Sequence, residues 1–443
     1  MDLIHCIYQA GLIGEGGAGF PTFVKLGAQA DNLLVNAAEC EPLLFTDQYI
    51  MEHYAHDIVR ALELCRKQVQ AKRTVIAIKH KYEKQIAALK EAIAHYEAPI
   101  ELHEMESFYP AGDEQSIIYD VIRDPLPPAS LPKDKSTLVL NVGTLRDIWR
   151  STQGLPFTRK IVTVNGDIRK PSLLEVPIGT SVAQCIAWCG GTDLDRYVVI
   201  LGGPMMGRMI DQDEIGSEVI TKTVGGLLVL PYDHPLAVRR RKPIERIRSE
   251  ARAACIQCNF CTELCPRYLK GHPLHPHEVM RAFALNDPDH PLLAQASLCC
   301  ECGICELYSC PMGLSPRRVN AYLRIELRRR RVKMPAFQSE GVHSEEDVRR
   351  IPTDRMVMKT DLTKWYVRHD FPFESHEADE VRIPLRQGVG GAATAVVKVG
   401  DKVEENDLIA DLPETSLGAR MHASISGTVL SVDESSITIS KKG

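Results

Sequence analysis

The chain has 443 residues, room for about three domains. Its 44% hydrophobic and 25% charged residues are ordinary for a globular protein, and a net charge of -5 gives no global positive field of the kind that holds nucleic acid or an anionic membrane. The opening residues lack the basic start and small-residue cleavage site of a secretory signal, and no apolar run approaches the ~20 residues of a membrane span. The expectation is a cytoplasmic protein with no direct membrane insertion and no nucleic-acid partner.

In MDLIHCIYQAGLI the apolar residues Leu3, Ile4, Ile7 and Tyr8 follow a helical period. GLIGEGGAGFPTFVKL then holds a literal G-x-G-x-x-G at Gly14, Gly16 and Gly19. A dinucleotide fingerprint should follow a strand, so the simple Rossmann reading fails. Such a loop can still cradle phosphate through backbone N–H groups, and a plain surface turn is the competing reading. NLLVNAAECEP predicts a strand over Leu33 to Val35 that runs into Asn36, Glu39 and Glu41, polar groups where an α/β sheet offers ligands. RTVIAIKHKYEKQIAALKEAI predicts a strand over Val75 to Ile78 and an amphipathic helix, YPAGDEQSIIYDVI a turn whose Asp113 and Glu114 open a helix, and STLVLNVGTLRDIW a strand ending at Asn141. This alternation predicts a mostly parallel sheet covered on both faces.

KIVTVNGDIRKPSLLEVPIGTSVAQCIAWCGG predicts a β-hairpin and then an apolar helix, with Cys185 and Cys189 in the core rather than paired on a metal. VILGGPMMG reads as a structural turn against a neighbouring domain, with a second glycine loop as the alternative, and Met205 and Met206 as packing residues. Nine of the fourteen cysteines lie between Cys255 and Cys310. In a reducing compartment such clustering points to metal ligands rather than disulfides. CIQCNFCTELCP has the C-x2-C-x2-C-x3-C-P spacing of two-cluster ferredoxins, and Cys299, Cys302, Cys305 and Cys310 repeat it with one extra residue before the last cysteine. By the crossover rule Cys255, Cys258, Cys261 and Cys310 hold one [4Fe-4S] cluster, and Cys299, Cys302, Cys305 and Cys265 the second. Zinc ribbons are the competing reading. Cys300 is left as a free thiol, with a ligand swap as the alternative. The basic runs VRRRKPIERIR and LRRRRVK read as solvated helix faces or as a docking patch for an acidic redox partner.

GEGGAGFPTFVKL, NAAECEP and NVGTL resemble the flavin- and NADH-binding subunit of respiratory complex I and, more closely, RnfC-type subunits of bacterial electron-transport complexes. With the domain order added, the chain resembles the cobalamin-reductase family of propanediol-utilisation microcompartments. The segment after the glycine-loop domain is similar to a β-grasp domain. RIPLRQGVGGAATAVVKVGDKVEENDLIADL and ARMHASISGTVLSVDESSITI resemble the barrel-sandwich hybrid of biotinyl and lipoyl carriers, without a lysine at the matching tip. The fold expected is multidomain α/β: a Rossmann-like FMN/NADH domain of complex I type (1–154), a β-grasp domain (155–236), a helical two-cluster ferredoxin-like domain (237–338), a linker (339–380) and a barrel-sandwich hybrid (381–443).

The resemblance implies that Gly14, Gly16, Gly17 and Gly19 approach the flavin phosphate and the nicotinamide nucleotide, that Phe20 stacks on the dinucleotide, and that Lys25 offers charge to the cofactor. It implies that Asn36, Asn141 and Thr144 hydrogen-bond FMN while Glu39, Glu41 and Glu114 line the nucleotide pocket. Ala38 stands where the complex I pattern commonly has aspartate, and Asp113-Glu114 where it has a Glu-Glu pair. The implied activity runs from NADH through FMN, the first and then the second [4Fe-4S] cluster to cobalamin, inside a bacterial microcompartment, with an adenosyltransferase and shell proteins as neighbours. The alternatives are an RnfC-type electron-input subunit of an ion-pumping membrane complex and a non-catalytic iron-sulfur relay or scaffold.

Overall fold

A computed structural model describes residues 2–366 and 371–442. Helix α1 (Leu3–Gln9) starts where the Asp2 side chain accepts from the His5 amide at 3.2 Å, and it buries Leu3 and Ile7 one turn apart. After α2 (Thr22–Leu26) come β1 (Asn32–Ala37), α3 (Thr46–His53), α4 (Ala55–Val69), β2 (Arg73–Lys79), α5 (Glu83–His95), β3 (Glu101–Met105), β4 (Phe108–Tyr109), α6 (Glu114–Ile122), β5 (Thr137–Asn141) and α7 (Val142–Thr152). The sheet is parallel with order β3-β2-β1-β5. The chain thus steps outward in one direction from β1 and returns to place β5 on its other side. That reversal is a topological switch point, where α/β sheets bind ligands at the carboxyl ends of their strands. The register sets Asn36 directly opposite Asn141 at this point. The loops and helices α1, α3, α4, α5 and α7 bury one face of the sheet, and α6 buries the other.

The second unit contains β6 (Arg159–Gly166), β7 (Ser172–Pro177), α8 (Val182–Trp188), β8 (Tyr197–Leu201), β9 (Arg208–Asp211) and β10 (Gly226–Pro231). The expected hairpin is β6 and β7, and Cys185 and Cys189 are buried in the core under α8. The cluster segment is helical: α9 (Pro235–Arg241), α10 (Ile244–Ala254), α11 (Phe260–Glu263), α12 (Pro266–Leu269), α13 (Pro276–Leu285) and α14 (Pro316–Arg329). Proline at the first position of α12, α13 and α14 lacks an amide that a helix start leaves unpaired in any case.

The stretch expected as a linker is a structured strap. It carries β11 (Ile351–Pro352), which pairs with β4, then α15 (Thr353–Lys359), and β12 (Phe373–Ser375), which extends the second sheet beside β7. Residues 367–370 of this stretch lie outside the described residues. Met356 and Trp365 are buried with Leu43 and Tyr109 of the first unit, Met205 of the second and Ile304 of the cluster segment, so the strap closes a core shared by three units. Each such apolar side chain contributes roughly 1.5–3 kcal/mol. The C-terminal strands β13 (Glu380–Pro384), β14 (Thr394–Ala395), β15 (Lys402–Val403), β16 (Leu408–Asp411), β17 (Met421–His422), β18 (Gly427–Val432) and β19 (Ser436–Ser440) form two facing sheets, β13-β19-β18-β15 and β14-β16-β17, around one core. Among the described residues no helix is long and apolar enough to cross a membrane.

Candidate functional site

The glycine loop is a tight hairpin closed at its neck, where the Gly14 amide donates to the Phe20 carbonyl at 2.9 Å and Ile13 bridges Pro21. Its tip, Gly16 and Gly17, is exposed, and a Cβ on Gly17 would meet nothing within 4 Å. A Cβ on Gly16 would lie 3.0 Å from that of Asn141, so the loop reaches the switch point only because it is glycine there. The Glu15 amide donates to Thr144 Oγ1 at 3.0 Å, fixing the loop to the start of α7. Lys25 donates to the Val139 carbonyl at 2.8 Å and lies 3.9 Å from Glu114.

Asn36, Asn141 and Thr144, expected to hold FMN, also brace the pocket itself. Asn36 donates to the Gly112 carbonyl at 2.9 Å and accepts from the Ala38 amide, while Asn141 donates to Asp47 at 2.8 Å and accepts from the Gly143 amide. Glu39 is nine-tenths buried and accepts from the Asp47 amide at 3.1 Å and from Gln48 at 3.3 Å. Burial, reinforced by the Asp47 carboxyl, pushes its pKa up to about 8, so it is largely protonated at neutral pH. Three further residues of the site are missed by sequence reasoning: Lys79, Glu15 and Asp47, the last raised to about 6 by burial. Glu15 is readable as the polar residue within the glycine run; Asp47 carries no signal. Glu15 forms a close ion pair with Lys160 of β6 while its Oε1 is buried without a hydrogen-bond partner among the described residues. An acceptor of this kind, beside exposed glycine amides and a lysine, fits a ligand that carries both phosphate and hydroxyl or N–H donors, as FMN does.

Several expectations change here. Gly19 is buried against Gly388 of the C-terminal unit rather than at the exposed loop tip. Glu41 is clasped by the amides of Met205 and Met206, at 2.8 and 2.7 Å, so VILGGPMMG packs on the first unit by gripping this carboxylate. Met205 is buried as expected, but Met206 is half exposed. A cavity of about 370 Å³ is lined by Glu39, Glu41, Lys79, Tyr82 and the strap's Thr353; the glycine loop is not part of its wall. The first basic run divides: Arg246 lies on a solvated face of α10, paired with Glu250, whereas Arg239, Arg240 and Arg241 are turned inward. Arg239 donates to the Glu306 carbonyl, Arg240 to those of Pro204 and Gly207, and Arg241 to that of Tyr232, because buried backbone acceptors at the unit boundaries need donors.

The nine clustered cysteines separate into two cavities. Cys255, Cys258, Cys261 and Cys310 line one; Cys265, Cys299, Cys302 and Cys305 line the other together with Cys300. The two loops have the same backbone. Gln257 and Asn259 take positive φ of 55° and 64°, and Glu301 and Gly303, two and four residues after Cys299, take 60° and 84°. Cys299 is therefore the equivalent of Cys255, and Cys300 falls outside the repeat. The extra residue before Cys310 is absorbed by a π-helical turn, Ile304–Ser309, where the first loop has the α-helical turn α11. Among the described residues no three His, Cys, Asp or Glu side chains converge closely enough to hold a single ion. The thiols ring cavities, the spread that a four-iron cubane requires and a tetrahedral zinc does not.

The second thiol cavity adjoins the flavin-type unit. Arg267, two residues after Cys265, makes a bidentate pair with Asp113 at 2.6 and 2.9 Å, and Tyr109 donates to the Cys302 carbonyl at 2.6 Å. Burial alone would raise the Asp113 pKa, but the Arg267 guanidinium holds it below its ordinary value. The first thiol cavity instead opens beside exposed Ile256, Phe260 and Met312. The expected order of the clusters is thus reversed: the one around Cys265, Cys299, Cys302 and Cys305 is next to the switch-point pocket.

A switch-point pocket under a glycine loop, joined to two four-thiol cavities, defines a flavin and iron-sulfur oxidoreductase. The family comparisons agree: residues 7–150 match the Nuo51 FMN-binding domain, 161–208 the SLBB domain, 254–315 the 4Fe-4S dicluster domain and 372–442 the RnfC barrel sandwich hybrid domain. The chain is 41% identical over 437 residues to the cobalamin reductase PduS of Salmonella typhimurium, covering 98% of this chain and 95% of that one, and it belongs to the cobalamin reductase PduS family. It is 33% identical over 288 residues to one of the subunits of the ion-translocating oxidoreductase complex of Vibrio cholerae, covering 63% of this chain and 35% of that one. Among solved structures it is similar to an NAD+-reducing [NiFe]-hydrogenase in the H2-reduced state, at 20% identity and a TM-score of 0.49, over 73% of this chain and 62% of that chain.

Proposed function

We propose that this chain takes electrons from NADH at the glycine-loop cleft and delivers them, by way of FMN and two [4Fe-4S] clusters, to a cobalamin. The observation that carries the reading is continuity: the Asn36–Asn141 pocket, the Asp113–Arg267 pair, the cavity of Cys265, Cys299, Cys302 and Cys305, and the solvent-facing cavity of Cys255, Cys258, Cys261 and Cys310 adjoin in that sequence. When bound, FMN accepts two electrons as hydride and releases them singly, which one-electron clusters require.

The chain's own residues supply position and charge. Gly16 and Gly17 present backbone N–H groups to phosphate, while the Gly14 amide closes the neck of the loop on the Phe20 carbonyl and Lys25 adds a positive charge held on the Val139 carbonyl. Asn36 and Asn141 set the pocket floor, Thr144 holds the loop in place, and Glu114 opens α6 beside Lys25. Glu39, largely protonated, adds no negative charge of its own to the floor beside an electron-rich flavin. Phe20 offers a ring face to the nucleotide. The likeness to cobalamin reductases supports cobalamin as the acceptor.

The test is anaerobic reconstitution with FMN, iron and sulfide, followed by addition of NADH and then of cob(III)alamin. Bleaching of flavin and iron-sulfur absorbance, and its return on adding cobalamin with the appearance of cob(II)alamin, is the expected result. Bleaching by dithionite but not by NADH would replace this reading with that of a relay fed by a partner.

A further inference from the structure

The outer flank of the glycine loop is built by two other units. Gly19 has φ +67°, and a Cβ on it would lie 2.8 Å from Thr223 Cγ2 of the second unit and 2.9 Å from Gly388 Cα of the C-terminal unit. The Val389 amide donates to the Gly19 carbonyl at 3.1 Å. Lys222 ties the same corner together. Its ammonium group is buried and donates to the Gly11 carbonyl at 2.7 Å and the Arg420 carbonyl at 2.9 Å, and its amide donates to Gln387 Oε1 at 2.9 Å. The C-terminal loop is itself held, the Gly391 amide donating to the Leu417 carbonyl at 2.9 Å. Gly388 and Gly19 therefore meet at a distance that no side chain on either would allow.

This close fit leaves two apolar side chains exposed on adjoining segments: Phe20 at 36% and Val389 at 38%, on either side of the Gly19–Val389 hydrogen bond. The Gly19–Val389 hydrogen bond fixes the C-terminal loop next to Phe20, the residue expected to face the nucleotide. The C-terminal unit has no carrier work to do at its tip. Ser424, in the segment where a carrier would bear its lysine, is buried and donates to the Ile178 carbonyl at 2.5 Å. Its contact with the glycine loop is the feature that ties it to the redox site.

We propose that the Gly388–Gly391 loop of the C-terminal unit forms the outer wall of the nicotinamide-nucleotide cleft, with Val389 and Phe20 presenting apolar surface to a planar ring of NADH. The inference rests on the reading that the glycine loop takes NADH. The carrier-like module is then a fixed part of the nucleotide site rather than a swinging arm.

The test uses the full-length protein loaded with FMN and clusters, in an NADH-to-ferricyanide assay with flavin and iron content measured in parallel. Val389→Asp and Val389→Ser alter an exposed side chain, so folding is retained. The expected result is a KM for NADH raised about tenfold in Val389→Asp and less in Val389→Ser, near-normal KM in Val389→Leu, and unchanged kcat, flavin content and dithionite bleaching throughout. A KM within about twofold of the parent in both polar variants overturns the inference, as does loss of flavin from them, which would mark the loop as scaffold. If the parent protein itself fails to oxidise NADH, the reading of the glycine loop falls and the wall with it, an outcome distinct from an active parent with indifferent variants.

Discussion

Glu39 shows how one side chain records the purpose of its pocket. It sits at the end of β1, where a strand delivers a carboxylate into a space too dry for its charge. Its pKa is raised from 4.5 to about 8, so between those values the folded chain holds a proton that the unfolded chain has lost. The folded state binds more protons in that window, and stability must fall as pH rises through it. In flavin-free protein the melting temperature is therefore expected to drop steadily from about pH 5 to pH 8, by an amount on the order of 3 kcal/mol in stability. Glu39→Gln, which keeps the acceptor for the Asp47 amide, is expected to flatten that slope; an unchanged slope would assign it to other groups. Asn36, Glu39 and Asn141 were legible in the sequence because strand ends can be read from the alternation of strands and helices. Asp47 and Arg267 were not. Asn141 lies 94 residues from Asp47, and Arg267 lies 154 from Asp113, and no local pattern reports a contact of that separation.

At the scale of elements, the two cysteine loops show what spacing can and cannot say. The division of the thiols between two cavities, with Cys265 and Cys310 exchanged, was readable, because three thiols two residues apart dictate a loop. The fate of the extra residue before Cys310 was not, since either a bulge or a widened turn could absorb it. The structure uses the widened turn, Ile304–Ser309, and so keeps Cys310 at the far cavity while Cys302 and Cys305 stay at the near one. Deleting Tyr308 would restore the shorter spacing of the first loop and rotate Cys310 by about 100° about the helix axis. The expected outcome is loss of the cluster held by Cys255, Cys258, Cys261 and Cys310 with retention of the other, read as about half the iron per chain; full iron content would show that the π-helical turn is dispensable. The strap escaped detection for a different reason. Its buried Ile351, Met356 and Trp365 follow neither a helical nor an alternating period, and they reach the core only because β11 finds β4, more than two hundred residues earlier.

Across the whole molecule, the domain order was readable but the spatial order of the redox sites was not. Sequence order places Cys255 before Cys299, and the natural expectation is that electrons meet the clusters in that order. Packing reverses it. The crossover sends Cys265 to the second cavity, and the residues that follow it, led by Arg267, dock on Asp113 of the flavin-type unit, so the later-encoded loop is pressed against the pocket. The consequence separates two single substitutions. In Cys258→Ser, which removes the outer cluster, NADH is expected still to reduce the inner cluster, seen as its low-temperature EPR signal, while transfer to cobalamin stops. In Cys302→Ser, which removes the inner cluster, the outer one is expected to respond to dithionite and no longer to NADH, because nothing bridges it to the flavin. If instead Cys302→Ser leaves NADH-driven reduction of the outer cluster intact and Cys258→Ser abolishes that of the inner one, electrons enter at the solvent-facing end, and the exposed surface of Ile256, Phe260 and Met312 is an entrance rather than an exit.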